Sequence, residues 1–573
     1  MNVAMAEMAI TAENALQNMG QYFWALLPTV VAIILALVTK EVYISLFLGI
    51  FVGAMFLGNG NPITALEELF NLMAGALGPS TAVRDGETVI TGAGNAGILI
   101  FVLELGILVS LMAKAGGSKA FGDKVFNHIK SRKGAMLATA GFGCVLFMDD
   151  YFNRLTVGPI MQPLNDKYKI SRAKTAFIVG SVSAAVCILA PISSWASAIS
   201  GSIGEGLKTS STEAFGYYVK TIFCNFYPIL LLLYVIATSV LGIDIFGLFK
   251  HEKHAIETGD VTGGLETANS EEVIKSSAKG AIWDLIVPLA VLIASCCTLL
   301  LLKKDGEAMF DTNTALAMGG CIAIFSCIIL YLPRRLMTLK EFTSSFGTGF
   351  KSVAEVIIIL AFAWTLASVC EAMHLSEFVT AFAYWMGDAK SLLPAIFFIV
   401  SMGTAFATGT SWGTFGIMVP IVVPMGQQIG PDMMILTISA VLSGSVFGDH
   451  VSPISDATIL SAASCKCNHL GYVKAQFPNA LMVAGITLVT FLVSGLTELI
   501  WLGWIVAIVL ITALITTAYF IQRKNGRLTD KLYKESVASA EVAKEVAVTE
   551  AEEVAKEVAV TEEAEDSLSG GQE

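Results

Sequence analysis

Charge is scarce in this chain. Asp, Glu, Lys and Arg make up 14% of its 573 residues, against 55% hydrophobic residues, and the mean hydropathy is +0.71. That shortage excludes an ordinary soluble domain, in which about a quarter of residues are charged. Base is scarcest at the start, where no Lys or Arg precedes Lys40. The basic region of a cleavable signal peptide is therefore lacking, and the first apolar span, about 22–38, is expected to stay in the mature protein. No Walker A Gly-Lys-Ser/Thr occurs, which argues against a P-loop ATP-driven pump. His251-Glu-Lys-His254 falls one residue short of the zinc-protease spacing, and Cys465-Lys-Cys-Asn-His469 is too short for a zinc site. Most of the 10 cysteines, such as Cys144, Cys187, Cys224 and Cys327, stand singly in apolar segments and read as small membrane residues. No enzyme activity, cofactor or nucleic-acid partner is expected. The net charge of -12 says little about substrate, because the segment from Arg523 onward holds 13 acids and 7 bases.

What the chain has in abundance is apolar runs long enough to cross a bilayer. Crossings are expected at 22–39, 43–58, 96–114, 174–200, 217–242, 281–303, 314–332, 353–372, 433–464, 478–496 and 499–520. Two further runs, 134–165 and 393–425, are too long for one crossing and polar at their midpoints. Lys114, Lys119, Lys124, Lys130, Arg132 and Lys133 precede the first, and Lys167, Lys169, Arg172 and Lys174 follow it. With both flanks basic, the first run is a hairpin entering from the cytoplasm. The second is flanked by Gly387-Asp-Ala-Lys390 and Gly426-Gln-Gln-Ile-Gly-Pro-Asp432, both poor in base, and is a hairpin from outside. This topology puts the N-terminus outside and the C-terminus in the cytoplasm of a prokaryotic cell (inner) membrane. Lys303-Lys304 fits it least well.

The hairpins mark an internal repeat. Pro159-Ile-Met-Gln-Pro163 matches Pro420-Ile-Val-Val-Pro424, and Pro191-Ile-Ser-Ser194 matches Pro453-Ile-Ser-Asp456 at a nearly equal distance. The fold class is thus an all-α polytopic membrane protein of inverted repeats, each with a re-entrant hairpin and a broken transmembrane helix, with about 11 crossings plus two hairpins. An N-terminal half, 1–249, holds hairpin 134–165 and broken helix 174–200. A cytoplasmic linker covers 250–280. A C-terminal half, 281–522, holds hairpin 393–425 and broken helix 433–464. An acidic cytoplasmic tail, 523–573, repeats Glu-Val-Ala-Lys-Glu-Val-Ala-Val-Thr-Glu at 541–550 and 553–562.

The chemistry lies at the polar midpoints. Phe447-Gly-Asp-His-Val-Ser-Pro-Ile-Ser-Asp456 sets two acids, a histidine, Gly and Pro inside an apolar run. A carboxylate in lipid costs at least a few kcal/mol, and Pro breaks the helix ladder. An unwound segment lining an ion-binding cavity accounts for both. The first hairpin centres on Asp149, Asp150 and Asn153, with Arg154 as a structural partner. The second centres on Thr410 and Ser411, whose hydroxyls and freed carbonyls suit Na+ by analogy with other hard cations. Ser193 and Ser194 in the first break, and Ser455 in the second, supply further oxygens. Asp149, Asp449 and Asp456 are the candidate Na+ ligands. Asp449 and Asp456, with His450 as a shuttle, are the candidates for proton coupling, because a desolvated aspartate can hold a proton or help to hold Na+, but not both comfortably. Among other acids, Glu104 is deeply placed and is expected toward the cavity, whereas Glu355 and Glu371 are expected near span ends. Trp195 and Trp412 are packing residues or walls of a solute site.

These same residues carry a resemblance. Phe447 to Leu460, continued by His469 and Gln476-Phe-Pro478, resembles the signature of the NhaC-type Na+/H+ antiporter family. Met148-Asp-Asp-Tyr-Phe-Asn-Arg-Leu-Thr-Val-Gly-Pro159 and Ala190-Pro-Ile-Ser-Ser-Trp195 are similar to the first-half signature of one branch. The resemblance covers roughly residues 20–520 and leaves out the acidic tail. It implies the ion-transporter superfamily fold, which is often a homodimer. The leading expectation is a secondary antiporter exporting Na+ for H+ by alternating access. The alternative is a Na+-coupled transporter or exchanger of an organic acid or amino acid, since the family includes such members. A channel is disfavoured, because hairpins closing around buried acids favour stepwise exchange.

Overall fold

The computed structural model describes residues 20–39, 41–84, 87–263, 277, 279–304 and 307–539. They are overwhelmingly helical, with two small antiparallel ribbons, Ser80–Arg84 with Glu87–Gly92 and Lys303–Lys304 with Glu307–Ala308. Among them, ten helices are long and apolar enough to cross a membrane, or eleven if the pair Val42–Leu57 and Pro62–Leu77, bent by 116°, is one span. The acidic repeats at 541–562 and most of the linker, at 264–276, lie outside the described residues.

Two four-helix units make up the centre. The first has α1 (Arg132–Val145), α2 (Asp150–Lys167), α3 (Arg172–Leu189) and α4 (Ser194–Leu207). The second has α5 (Leu393–Thr408), α6 (Ser411–Ile429), α7 (Pro431–Val451) and α8 (Asp456–Ser464). In each, two helices form a hairpin and two form a helix interrupted by a Pro-Ile-Ser segment. α1 has 14 residues, about 21 Å at 1.5 Å per residue, too short for a hydrocarbon core of about 30 Å. The hairpin turns differ in chemistry. Asp149 caps α2 by accepting from Phe152 N at 2.9 Å, whereas Gly409, at φ +72°, ends α5 in the left-handed region that glycine enters without strain.

The units run in opposite directions. α2 and α8 pack on each other, with Gly158 against Ser464, and α4 and α6 pack on each other, with Gly206 against Val423. α3 therefore starts at the end where α2 finishes, and α4 leaves at the opposite end. α7 starts where α6 finishes, beside the end of α4, and α8 leaves toward the end of α2. These are inverted repeats. Their unbroken arms α3 and α7 lie in the interior, and every residue from Met433 to Val451 is buried.

The first unit is fixed at its base by buried charge. Arg132 pairs with Glu252, and Lys174 with Asp244 at 2.7 Å. Glu252 also accepts from Ser171 N at 2.7 Å, and Asp244 accepts from Thr529 Oγ1 at 3.0 Å. Glu252 belongs to a helix, Phe246–Thr258, at the start of the segment read as linker. Asp530 reaches Lys133 at 3.0 Å, so the chain beyond Lys524 is partly built into the fold.

Other boundaries differ from those read in the sequence. The run 217–242 is two helices, Ser211–Ile222 and Phe226–Leu241. Buried Asn225 sits at the break and accepts from Ser443 Oγ at 2.6 Å. The helix expected at 353–372 starts at Leu339, closed by a Thr338–Glu341 capping box. Glu355 therefore lies in mid-helix rather than near an end. Ala389–Thr408, a hairpin arm here, is also long and apolar enough to cross alone.

Candidate ion-binding site

Four helix N-termini meet at the centre: α2, α4, α6 and α8. Three have oxygen caps, Asp149 on Phe152 N, Ser193 on Ala196 N and Ser455 on Thr458 N. The meeting follows from the sequence, because each hairpin turn and each Pro-Ile-Ser segment forces a helix to restart at mid-depth.

In the first unit the acids are tied to their own repeat. Asp150 pairs with Arg154, both buried, and accepts from Trp195 Nε1 at 3.1 Å. Asp149, besides capping α2, accepts from Ser194 Oγ at 3.4 Å. Ser194 N donates to Met148 O at 3.0 Å, closing the first break onto the first hairpin turn. Ser193 Oγ donates to Cys187 O at 2.7 Å. Asn153 is wholly engaged in the turn, donating to Gly143 O at 2.6 Å and Leu146 O at 3.1 Å and accepting from Ser183.

In the second unit the acids meet only neutral donors. Asp449 accepts from Ser411 Oγ at 2.8 Å and from Ser455 Oγ at 2.5 Å. Asp456 accepts from Ala457 N at 2.7 Å and from Tyr151 Oη of the first unit at 2.5 Å. Tyr151 was not singled out in the sequence, because its partner is 305 positions away. Asp456 is partly exposed, whereas Asp449 is buried. Thr410 is half-buried at the second turn and accepts from Gly413 N at 3.5 Å. Arg154 lies within electrostatic range of Asp449 as well as Asp150.

The cluster holds four carboxylates, Asp149, Asp150, Asp449 and Asp456, and one guanidinium. Isolated charge of that kind is costly in an apolar interior, so the excess acid must be neutralised by protons or by cations. Among the described residues no three His, Cys, Asp or Glu side chains lie together as one metal ion would need. Asp149, Asp449 and Asp456 therefore do not converge on a single point in this conformation. The hydroxyls of Ser411 and Ser455 are the side-chain oxygens bonded to Asp449.

His450 is buried, and none of its hydrogen bonds among the described residues goes to an acid. Ser181 Oγ lies 3.0 Å from its Nε2 and Tyr227 Oη 3.1 Å from its Nδ1, and its carbonyl accepts from Gln476 at 2.6 Å. Glu104 lies apart, between helices Gly94–Ala115 and Thr312–Tyr331, accepting from Cys321 Sγ at 2.8 Å. Trp195 and Trp412 pack with ring centroids 5.2 Å apart. Trp412 Nε1 is buried with no acceptor among the described residues.

Comparison with known proteins gives the family. The profile of the Na+/H+ antiporter family matches residues 186–496. An uncharacterized protein of Haemophilus influenzae is 35% identical over 495 residues, 83% of this chain and 91% of its own. The malate-2H+/Na+-lactate antiporter of Bacillus subtilis is 34% identical over 106 residues, 18% of this chain and 22% of its own. Among solved structures, the MtrF transporter of Neisseria gonorrhoeae aligns at 12% identity and a TM-score of 0.49, over 77% of this chain and 85% of its own. The protein is a multi-pass membrane secondary transporter, and the chain belongs to the Na+/H+ antiporter family.

Proposed function

We propose that the protein exchanges Na+ for H+, and that Asp449 is the carboxylate at which the two ions compete. The supporting observation is the donor set of Asp449, two serine hydroxyls and no bonded base. Such a carboxyl can accept a proton, or it can give a lone oxygen pair to Na+ while Ser411 and Ser455 turn theirs toward the same ion. It cannot do both, so loading one ion expels the other. Asp456 is the second ion-exchanging acid, and Asp149 contributes field. The two helix pairs support alternating access in this reading, since α4 with α6 runs from the site to one end and α2 with α8 to the other. Lys167, Lys169 and Arg172 at the α2 end support a cytoplasmic side there, with the N-terminus outside. Na+ is thus substrate, and no cofactor takes part.

The test is purified protein in liposomes with a pH dye inside and no organic solute. Na+ added outside should drive protons out, and the apparent KM for Na+ should fall as pH rises, because protons are the competitor. Absence of Na+-driven proton movement would sink this assignment.

One observation favours a second reading, transport of an organic acid or amino acid coupled to Na+. The indole N–H of Trp412 is a buried donor without an acceptor, at the N-terminus of α6, where the helix dipole favours an anion. A solute carboxylate would satisfy both. Proton movement that requires malate, lactate or an amino acid, in addition to Na+, would establish it.

A further inference from the structure

The cluster accounts for neither Glu205 nor the buried hydroxyl of Ser197. Glu205 lies in the last turn of α4, at the end away from Lys167 and Arg172. Two cavities flank it, of about 240 Å³ and 180 Å³, and Glu205 and Lys208 border both. Asn95, Ser200, Ser211 and Asn313 border the larger one. Ser368 and the hairpin prolines Pro420 and Pro424 border the smaller. Lys208, the nearby base on the same helix, pairs with Glu371 at 2.6 Å. Glu205 itself accepts from neutral donors, Ser368 Oγ at 2.9 Å and Asn95 Nδ2 at 3.4 Å. It is a half-buried carboxylate in an oxygen-rich setting, facing open space.

α4 connects this place to the cluster. Ser194, Ser197, Gly201 and Glu205 recur at spacings of three, four and four, so they share one stripe of the helix. Ser194 touches Asp149. Ser197 is 1% exposed, and its Oγ has no hydrogen-bond partner among the described residues. Gly201 borders the larger cavity. A buried hydroxyl left unpaired costs stability, which is reasonable where its partner is a passing ion.

We propose that Glu205 is a staging site for the transported monovalent cation, at the outer mouth of a path that follows α4 through Ser197 to the carboxylate cluster. The proposal rests on the cation-exchange reading above. Oxygen ligands with a carboxylate suit a hard cation. With Lys208 paired to Glu371, a half-buried carboxylate held by neutral donors leaves net negative charge at the mouth and raises the local cation concentration without trapping the ion. Ser197 supplies an oxygen midway.

The experiment compares right-side-out and everted membrane vesicles, which present opposite faces, with Na+ alone as the driving solute. In Glu205→Gln the apparent KM for Na+ should rise about tenfold, within the range by which a charged funnel concentrates counter-ions, in right-side-out vesicles only. The maximal rate should hold. Glu213→Gln, an exposed acid on the next helix, controls for surface charge and should change nothing. Ser197→Val should lower the maximal rate in both vesicle types, and Ser197→Thr should restore it. An equal KM shift on both faces, or none on either, overturns the staging site. Wild-type vesicles without Na+-driven proton movement would overturn the cation-exchange reading itself, and this proposal with it.

Discussion

Counted from their paired prolines, the two repeats put different chemistry at matching positions. Nine residues before Pro159 and Pro420 stand Asp150 and Ser411. Five before them stand Arg154 and Phe415. Four before Pro191 and Pro453 stand Cys187 and Asp449, and three after them stand Ser194 and Asp456. The geometry is kept while the groups change. Ser193 Oγ donates to Cys187 O, and its counterpart Ser455 Oγ donates to the Asp449 side chain. The first repeat thus carries an acid neutralised by a base of its own and is bolted at its base by Arg132–Glu252 and Lys174–Asp244. The second carries acids without a bonded base and, among the described residues of 387–464, no ion pair. On the proposed function, the first repeat serves as anchor and the second as ion exchanger.

The largest expected effect breaks the anchor. Arg154→Met leaves Asp150 buried and unpaired, which costs about 3–5 kcal/mol. Thermal unfolding in detergent should show a large loss of stability, and Asp150→Asn combined with Arg154→Met should recover most of it. If the double variant folds but has no exchange at all, the anchor role of the pair fails. Next comes Asp449→Asn, which keeps the shape and still accepts from Ser411 and Ser455. Losing the charge from a charge-assisted set costs about 3 kcal/mol, roughly 100-fold in Na+ affinity, with stability unchanged. Flux assays at graded Na+ measure it. Tyr151→Phe removes the bond that joins the repeats at Asp456 and should raise the apparent KM for Na+ about tenfold, equivalent to about 1.4 kcal/mol. His450→Gln is the smallest. Its cage of Ser181 and Tyr227 predicts a loss of about 1 kcal/mol in stability and no change in KM, and a changed KM would return His450 to the ion path.

Much of the architecture was legible in the sequence, because it follows from local signals. Pro-Ile-Ser inside an apolar run must break a helix, and basic flanks on both sides of 134–165 leave only a hairpin. The acids at 149, 150, 449 and 456 stand out because lipid makes them costly. What was not legible depends on distant contacts. Tyr151 on Asp456, Ser181 and Tyr227 on His450, and Lys208 on Glu371 join positions that no sequence period relates. The start of the long helix at Leu339 was hidden because Lys340, Glu341 and Lys351 dilute its hydropathy outside the apolar stretch. Ser211–Ile222 was merged with its neighbour because Asn225 is the one amide in the run from Ile222 to Ile236, and its role as a pinned break depends on Ser443.

The most direct test of the exchange at Asp449 is proton release on Na+ binding, measured by titration calorimetry of purified protein in two buffers of different ionisation enthalpy. The account predicts that Na+ binding to the wild type expels protons, so the observed heat depends on the buffer, and that Asp449→Asn binds Na+ weakly without this dependence. Na+ binding to the wild type without proton release, or an Asp449→Asn protein that still exchanges protons for Na+ as the wild type does, would contradict it.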